Sequence, residues 1–133
     1  MSVLQKLKQW GFDRHLHKVP FDKVGYTQNI IEELTELWGY DKEQSRIQAK
    51  KLTELIVEGG KPVTEHDIVD AINDIMVFSN TALIQYNYDH ELTLLETHAE
   101  INSRTGAYSE EERKWLKDTS PEAQAKWYKA AVS

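Results

Sequence analysis

The chain has 133 residues, no cysteine and a formal charge of −6. This length fits one domain, residues 1–133, burying roughly two-thirds of the surface its unfolded form exposes; the missing cysteine excludes disulfides and thiolate-bound zinc, leaving His, Asp and Glu as strong metal ligands. The acidic balance argues against general nucleic-acid binding, and with no signal-peptide pattern and no bilayer-length apolar run the expectation is a soluble, cytoplasmic protein without a membrane partner.

At the N-terminus, Ser2 followed by Gln5 makes a capping-box start, and Val3, Leu4, Leu7 and Trp10 repeat at helical spacing as far as Gly11. Lys6, Lys8, Arg14, Lys18 and Lys23 outnumber Asp13 and Asp22 in this stretch, a locally positive arm on an acidic chain. Residues 12–28 carry mixed signals, punctuated by Pro20 and Gly25, and read as an irregular connection or a broken helix. Within it, His15-Leu16-His17 reads as surface rather than as a metal site.

A second helix is predicted over residues 27–38, with Ile30, Ile31, Leu34, Leu37 and Trp38 as its apolar set and Gly39 as its stop. A third spans 41–58, where Ile47, Leu52, Leu55, Ile56 and Val57 are apolar and Gly59, Gly60 and Pro62 end it. Thr64 caps a fourth, over 65–86, which contains no Gly or Pro and is the candidate central helix of a bundle. A fifth begins near Asp89 and breaks at 102–106. Two short C-terminal helical stretches then start at Ser109 with Glu112 and at Ser120 with Pro121, so residues 101–133 read as loop and short helices. No segment alternates with period two, and the fold class is all-α, a bundle of four to five main helices.

The acidic residues are the candidate chemistry. At about 100° per residue, Glu33 lies about 40° from Leu37, at the edge of the apolar stripe, with Glu36 one turn further, whereas Glu32 falls about 160° from the stripe's centre. On the fourth helix Asp67, Asp70 and Asp74 share an arc of about 60°. A solvated face explains that stripe, since it lies opposite Ile68, Val69, Ile72, Ile75 and Met76. Ala71, Val77 and Phe78 flank the acidic side, however, and a helix apolar nearly all round is normally enclosed. Enclosed carboxylates without a Lys or Arg on their helix call for a cation, and Mg²⁺ or Mn²⁺ suits oxygen ligands. A ferritin-like di-iron site needs Glu-x-x-His on two helices, which this chain lacks.

Glu32-Glu33-x-x-Glu36, followed on a later helix by Asp67-Ile-Val-Asp70-Ala-Ile-Asn-Asp74, resembles the MazG-like all-α NTP pyrophosphohydrolases, whose pattern is Glu-Glu-x-x-Glu and then Glu-x-x-Asp. Ile101-Asn-Ser-Arg104-Thr-Gly106 with Lys114-Trp115-Leu-Lys117 is similar to phage-encoded members, MazZ-like ones included. The likeness spans residues 25–118, with Asp standing where the family's second-helix Glu is expected.

The resemblance implies hydrolysis between the α and β phosphates of an NTP or dNTP to monophosphate and pyrophosphate. Metal would be held by Glu33, Glu36, Asp70 and either Asp67 or Asp74, and Glu32 or Glu36 would take the water's proton. Lys50, Lys51, Asn102, Arg104 and Lys117 are the candidate phosphate ligands, and Trp10, Asp13, Asn29 and Trp38 the candidate base pocket. It also implies a homodimer or homotetramer, which the four Trp and six Tyr suit. The competing reading is a non-catalytic helical module whose acidic stripe binds a basic partner.

Overall fold

The computed structural model describes residues 1–131, so the last two residues of the expected domain lie outside the described residues. It is mostly helical: α1 (Val3–Asp13), a 3-10 turn (Leu16–Lys18), α2 (Lys23–Glu36), α3 (Lys42–Gly59), α4 (Glu65–Gln85), α5 (His90–Asn102), strands β1 (Gly106–Ser109) and β2 (Lys114–Lys117), and α6 (Pro121–Ala125). Its contacts gather into two compact units, residues 1–20 with 68–133, and residues 21–67. Among the described residues, no helix is long and apolar enough to cross a membrane.

Side chains written into the sequence start most helices. Ser2 and Gln5 close a reciprocal capping box on α1, as do Asp41 and Gln44 on α3. Asp89 caps α5 through the Leu92 N–H, and Ser120 caps α6 with Pro121 in its first turn. The start of α2 lies four residues before the expected one. There the Asp22 carboxylate accepts from the Gly25 N–H at 2.9 Å. Gly25 is therefore part of the helix's first turn rather than a break, and a Cβ on it would collide with that carboxylate. At the other end, Gly39 takes φ +85°, while the Gly39 and Tyr40 N–H groups donate to Glu36 and Thr35. That pairing is the Schellman stop, which favours glycine.

In the unit of residues 21–67, α2 packs on α3 through small side chains. Ser45, Ala49 and Thr53 recur every fourth residue of α3 and are buried, Ala49 completely; Ile31 and Thr35 are the buried residues of α2. Of the predicted apolar residues, Ile31 is buried and Leu52 half-buried, but most of the rest stand elsewhere. Leu34, Leu37 and Trp38 are exposed, and so are Ile47, Leu55, Ile56 and Val57. Small residues let two backbones approach closely, which turns the larger side chains outward.

In the other unit, α1 lies against α5, with Val3, Arg14 and Ala123 buried. The expected helical start at Ser109 is instead the end of a strand. β1 and β2 form an antiparallel hairpin with Gly106 opposite Lys117 and Tyr108 opposite Trp115. The Ser109 hydroxyl accepts from the Glu112 N–H at 3.1 Å, the bond a helix cap would make, but here it closes a turn in which Arg113 adopts φ 54°. Helix α4, expected to be enclosed, has no buried residue, and Val69, Val77, Phe78 and Ile84 are each more than half exposed.

Candidate functional site

The carboxylates of α2 form the first cluster. Glu33 and Glu36 sit one turn apart on the exposed side, and their side chains interact directly. The Glu33 carboxyl is held above its ordinary value, first by desolvation, then by repulsion from and direct contact with Glu36, and by Glu32, with Lys42 opposing. Because Glu33 is open to solvent, that desolvation is partial, and the crowding of like charge is the feature specific to the site. Glu32, expected to face away, is the half-buried member of the trio, since it borders Ile31 and Thr35 on the face that meets α3.

On α4, Asp67 has a local task. Its carboxylate accepts from the Thr64 N–H at 3.2 Å while its own N–H donates to the Thr64 hydroxyl at 3.1 Å. Thr64 and Asp67 thus occupy the first and last positions of a reciprocal capping box, with Asp67 and Glu65 placing negative charge at the positive end of the helix. Asp70 and Asp74 are exposed. Among the described residues, no group of three or more His, Asp and Glu side chains forms a metal-ligand set.

The second cluster is basic and aromatic, and it lies within the unit of residues 1–20 and 68–133. The Arg104 guanidinium lies 5.4 Å from the Trp127 ring centre and the Lys117 ammonium 5.3 Å from it, so two cations share one indole. Arg104 also meets Glu100 at 3.6 Å, one turn back on α5, a partly exposed pair of small energetic weight. Its Nε is enclosed and, among the described residues, has no hydrogen-bond partner. Asn102, the last residue of α5, is exposed beside this cluster in the chain.

Behind the cluster lies Arg14, 8% exposed. Its guanidinium is 4.8 Å from the Trp10 ring centre and 5.1 Å from that of Trp115, and it donates to the carbonyls of Arg104 at 3.0 Å and Ile101 at 3.5 Å. Burial lowers its pKa, with Asp13 opposing. Beyond marking a positive N-terminal arm, sequence patterns do not reveal this role, because the contacts run from residue 14 to residues 101–115, a separation that local patterns do not report.

The other expected site residues are dispersed. Lys50 lines an open groove of ≈ 400 Å³ with Val24, Gln28, Thr53 and Glu54, and Lys51 is exposed on the same helix. Trp10 gives its ring to Arg14, and Asp13 accepts from the Gln9 amide at 2.7 Å. Asn29 is exposed and Trp38 is 81% exposed, both in the unit of residues 21–67. Comparison with known proteins gives no match to a family model, a curated protein or a solved structure.

Proposed function

We propose that the chain is a divalent-metal-dependent nucleoside triphosphate pyrophosphohydrolase of the MazG-like kind, releasing monophosphate and pyrophosphate from an NTP or dNTP. The observation that carries this reading is the Glu33–Glu36 pair, two carboxylates crowded on one helix with the Glu33 proton held tightly. Crowded carboxylates of this kind suit Mg²⁺ or Mn²⁺, which take oxygen donors and carry the charge that relieves the repulsion. Glu33 and Glu36 are the candidate donors on α2; on α4 Asp70 and Asp74 are the candidates, the capping role of Asp67 favouring Asp74 over it.

A bound cation would neutralise triphosphate charge and lower the pKa of a water. Glu36 or Glu32 would take the proton of the water that attacks the α-phosphorus, with pyrophosphate as the leaving group. Arg104 and Lys117 hold phosphate oxygens, with Trp127 fixing where their charges stand.

The protein works as an oligomer. Leu37, Trp38, Val77, Phe78 and Ile84 are each at least 60% exposed, far more apolar surface than a lone chain normally presents, and burying such faces drives association. The test is to assay pyrophosphate release from a panel of NTPs and dNTPs with Mg²⁺ or Mn²⁺, using wild type, Glu36→Gln and Asp70→Asn. Release by wild type and at least 100-fold less by both variants is expected. No release from any nucleotide sinks the enzyme reading, and unchanged turnover in the variants shows that the site lies elsewhere.

A further inference from the structure

Arg14 is almost entirely buried, and every part of its guanidinium is in use. It lies over the rings of Trp10 of α1 and Trp115 of β2, while one terminal nitrogen donates to the Trp10 carbonyl and the other to the carbonyls of Ile101 and Arg104. The last carbonyls of a helix have no intrahelical partner and carry partial negative charge, so a cation held there is stabilising. Arg14 therefore joins three segments distant in sequence: the end of α1, the end of α5 and the second strand of the hairpin.

Two of those segments carry the basic cluster. Arg104 follows the end of α5, two residues after Asn102, and its own carbonyl is an Arg14 acceptor; Lys117 is two residues after Trp115 on β2. We infer that Arg14 is the positioning residue of a phosphate-binding site, fixing the end of α5 against β2 so that Arg104 and Lys117 converge on Trp127 and bind one polyanion together. The inference rests on the phosphate-binding role proposed above for Arg104 and Lys117, and adds what holds them in place.

Lysine cannot replace arginine in this position. Its ammonium is a compact charge without two flat faces, so it keeps the positive charge but not the simultaneous stacking and donation. Charge alone, if that were all the site needed, would survive the exchange.

The test uses full-length protein and inorganic tripolyphosphate without added metal, so that the acidic residues contribute no bridging ion. Affinity is measured by calorimetry for wild type, Arg104→Gln, Arg14→Lys and the double variant, with circular dichroism to establish that each is folded at the working temperature. Arg104→Gln and Arg14→Lys are each expected to bind about tenfold more weakly, and the double variant within about twofold of either single, because groups that act as one unit are not additive. In nucleotide turnover the same Arg14→Lys variant raises KM while kcat stays within about twofold.

A folded Arg14→Lys that binds as tightly as wild type, beside an Arg104→Gln that does not, overturns the positioning role and leaves the phosphate site standing. Wild-type affinity in Arg104→Gln, or no binding by wild type, overturns both. Should Arg14→Lys fail to fold, Trp115→Leu removes one of the two indole contacts and leaves the three hydrogen bonds; it is expected to weaken binding at least threefold, and unchanged affinity overturns the positioning role.

Discussion

Asp67 offers the sharpest separation between a structural and a chemical carboxylate. Its side chain accepts the Thr64 N–H, and Thr64 accepts the Asp67 N–H in return. Asp67→Asn keeps an acceptor oxygen but removes the charge, so it loses only the interaction with the helix dipole, about 0.5 kcal/mol. Asp67→Ala loses the acceptor as well, about 1 kcal/mol in all. For 133 residues that corresponds to about 2 °C and about 4 °C in Tm. Melting is to be followed by circular dichroism at fixed protein concentration, because association would shift Tm by mass action. Turnover by pyrophosphate release should stay within about threefold of wild type for both variants, while Asp74→Asn, with a near-native melt, loses at least 100-fold. An Asp67→Asn variant that melts like wild type but has lost turnover would show that the charge of Asp67 serves the chemistry rather than the cap.

Other consequences follow from particular contacts. The folded state holds the Glu33 proton more tightly than the unfolded chain does, so this contribution to stability is complete below the ordinary glutamate value of 4.5 and is lost as pH rises through the raised folded value. Urea midpoints with chelator should fall over that window, the fall should vanish with Mg²⁺, and Glu33→Gln should remove it; an unchanged slope in Glu33→Gln would assign the pH dependence to another group. Ala49 is fully buried where α2 meets α3, so Ala49→Leu should cost about 1–3 kcal/mol by forcing the helices apart, and a native urea midpoint would contradict that packing. A Cβ on Gly106 would collide with the Leu116 carbonyl across the hairpin, so Gly106→Ala should disorder the strand pairing and weaken tripolyphosphate binding through Lys117, read by amide exchange and calorimetry. Retained protection of the hairpin amides would refute it.

The sequence was most informative where chemistry is local. Ser2, Asp41, Asp89 and Ser120 cap helices at the starts expected from the sequence, and Gly39 stops the second helix, because each effect involves atoms within a few residues. Asp22 was missed as a cap because Gly25 looked like punctuation, although its N–H is the donor to that carboxylate in the first turn. Which face of a helix is buried was not legible. That choice depends on a partner distant in sequence, and here Ser45, Ala49 and Thr53 won it over Ile47, Leu55 and Ile56 through close backbone approach. The hairpin was hidden for a similar reason: Ser109 with Glu112 has the same local bond in a cap as in a turn.

The candidate site divides along the same line. Glu33 and Glu36 are neighbours by helical spacing, as the sequence shows, but they stand on the exposed side of α2 with Leu37 rather than at the edge of a buried stripe. Arg104 and Lys117 were singled out separately; their convergence on Trp127 depends on the hairpin and on the tail that follows it, so only the folded chain reveals it. Arg14 belongs entirely to the second category.

The most direct test of the central claim is ³¹P NMR of a deoxynucleoside triphosphate panel incubated with the protein, Mg²⁺ and ¹⁸O-enriched water. Equimolar monophosphate and pyrophosphate are expected, with the isotope shift on the monophosphate resonance, and neither product with Glu36→Gln. Unchanged nucleotides throughout, orthophosphate released with a diphosphate, or the isotope shift on pyrophosphate would contradict that claim.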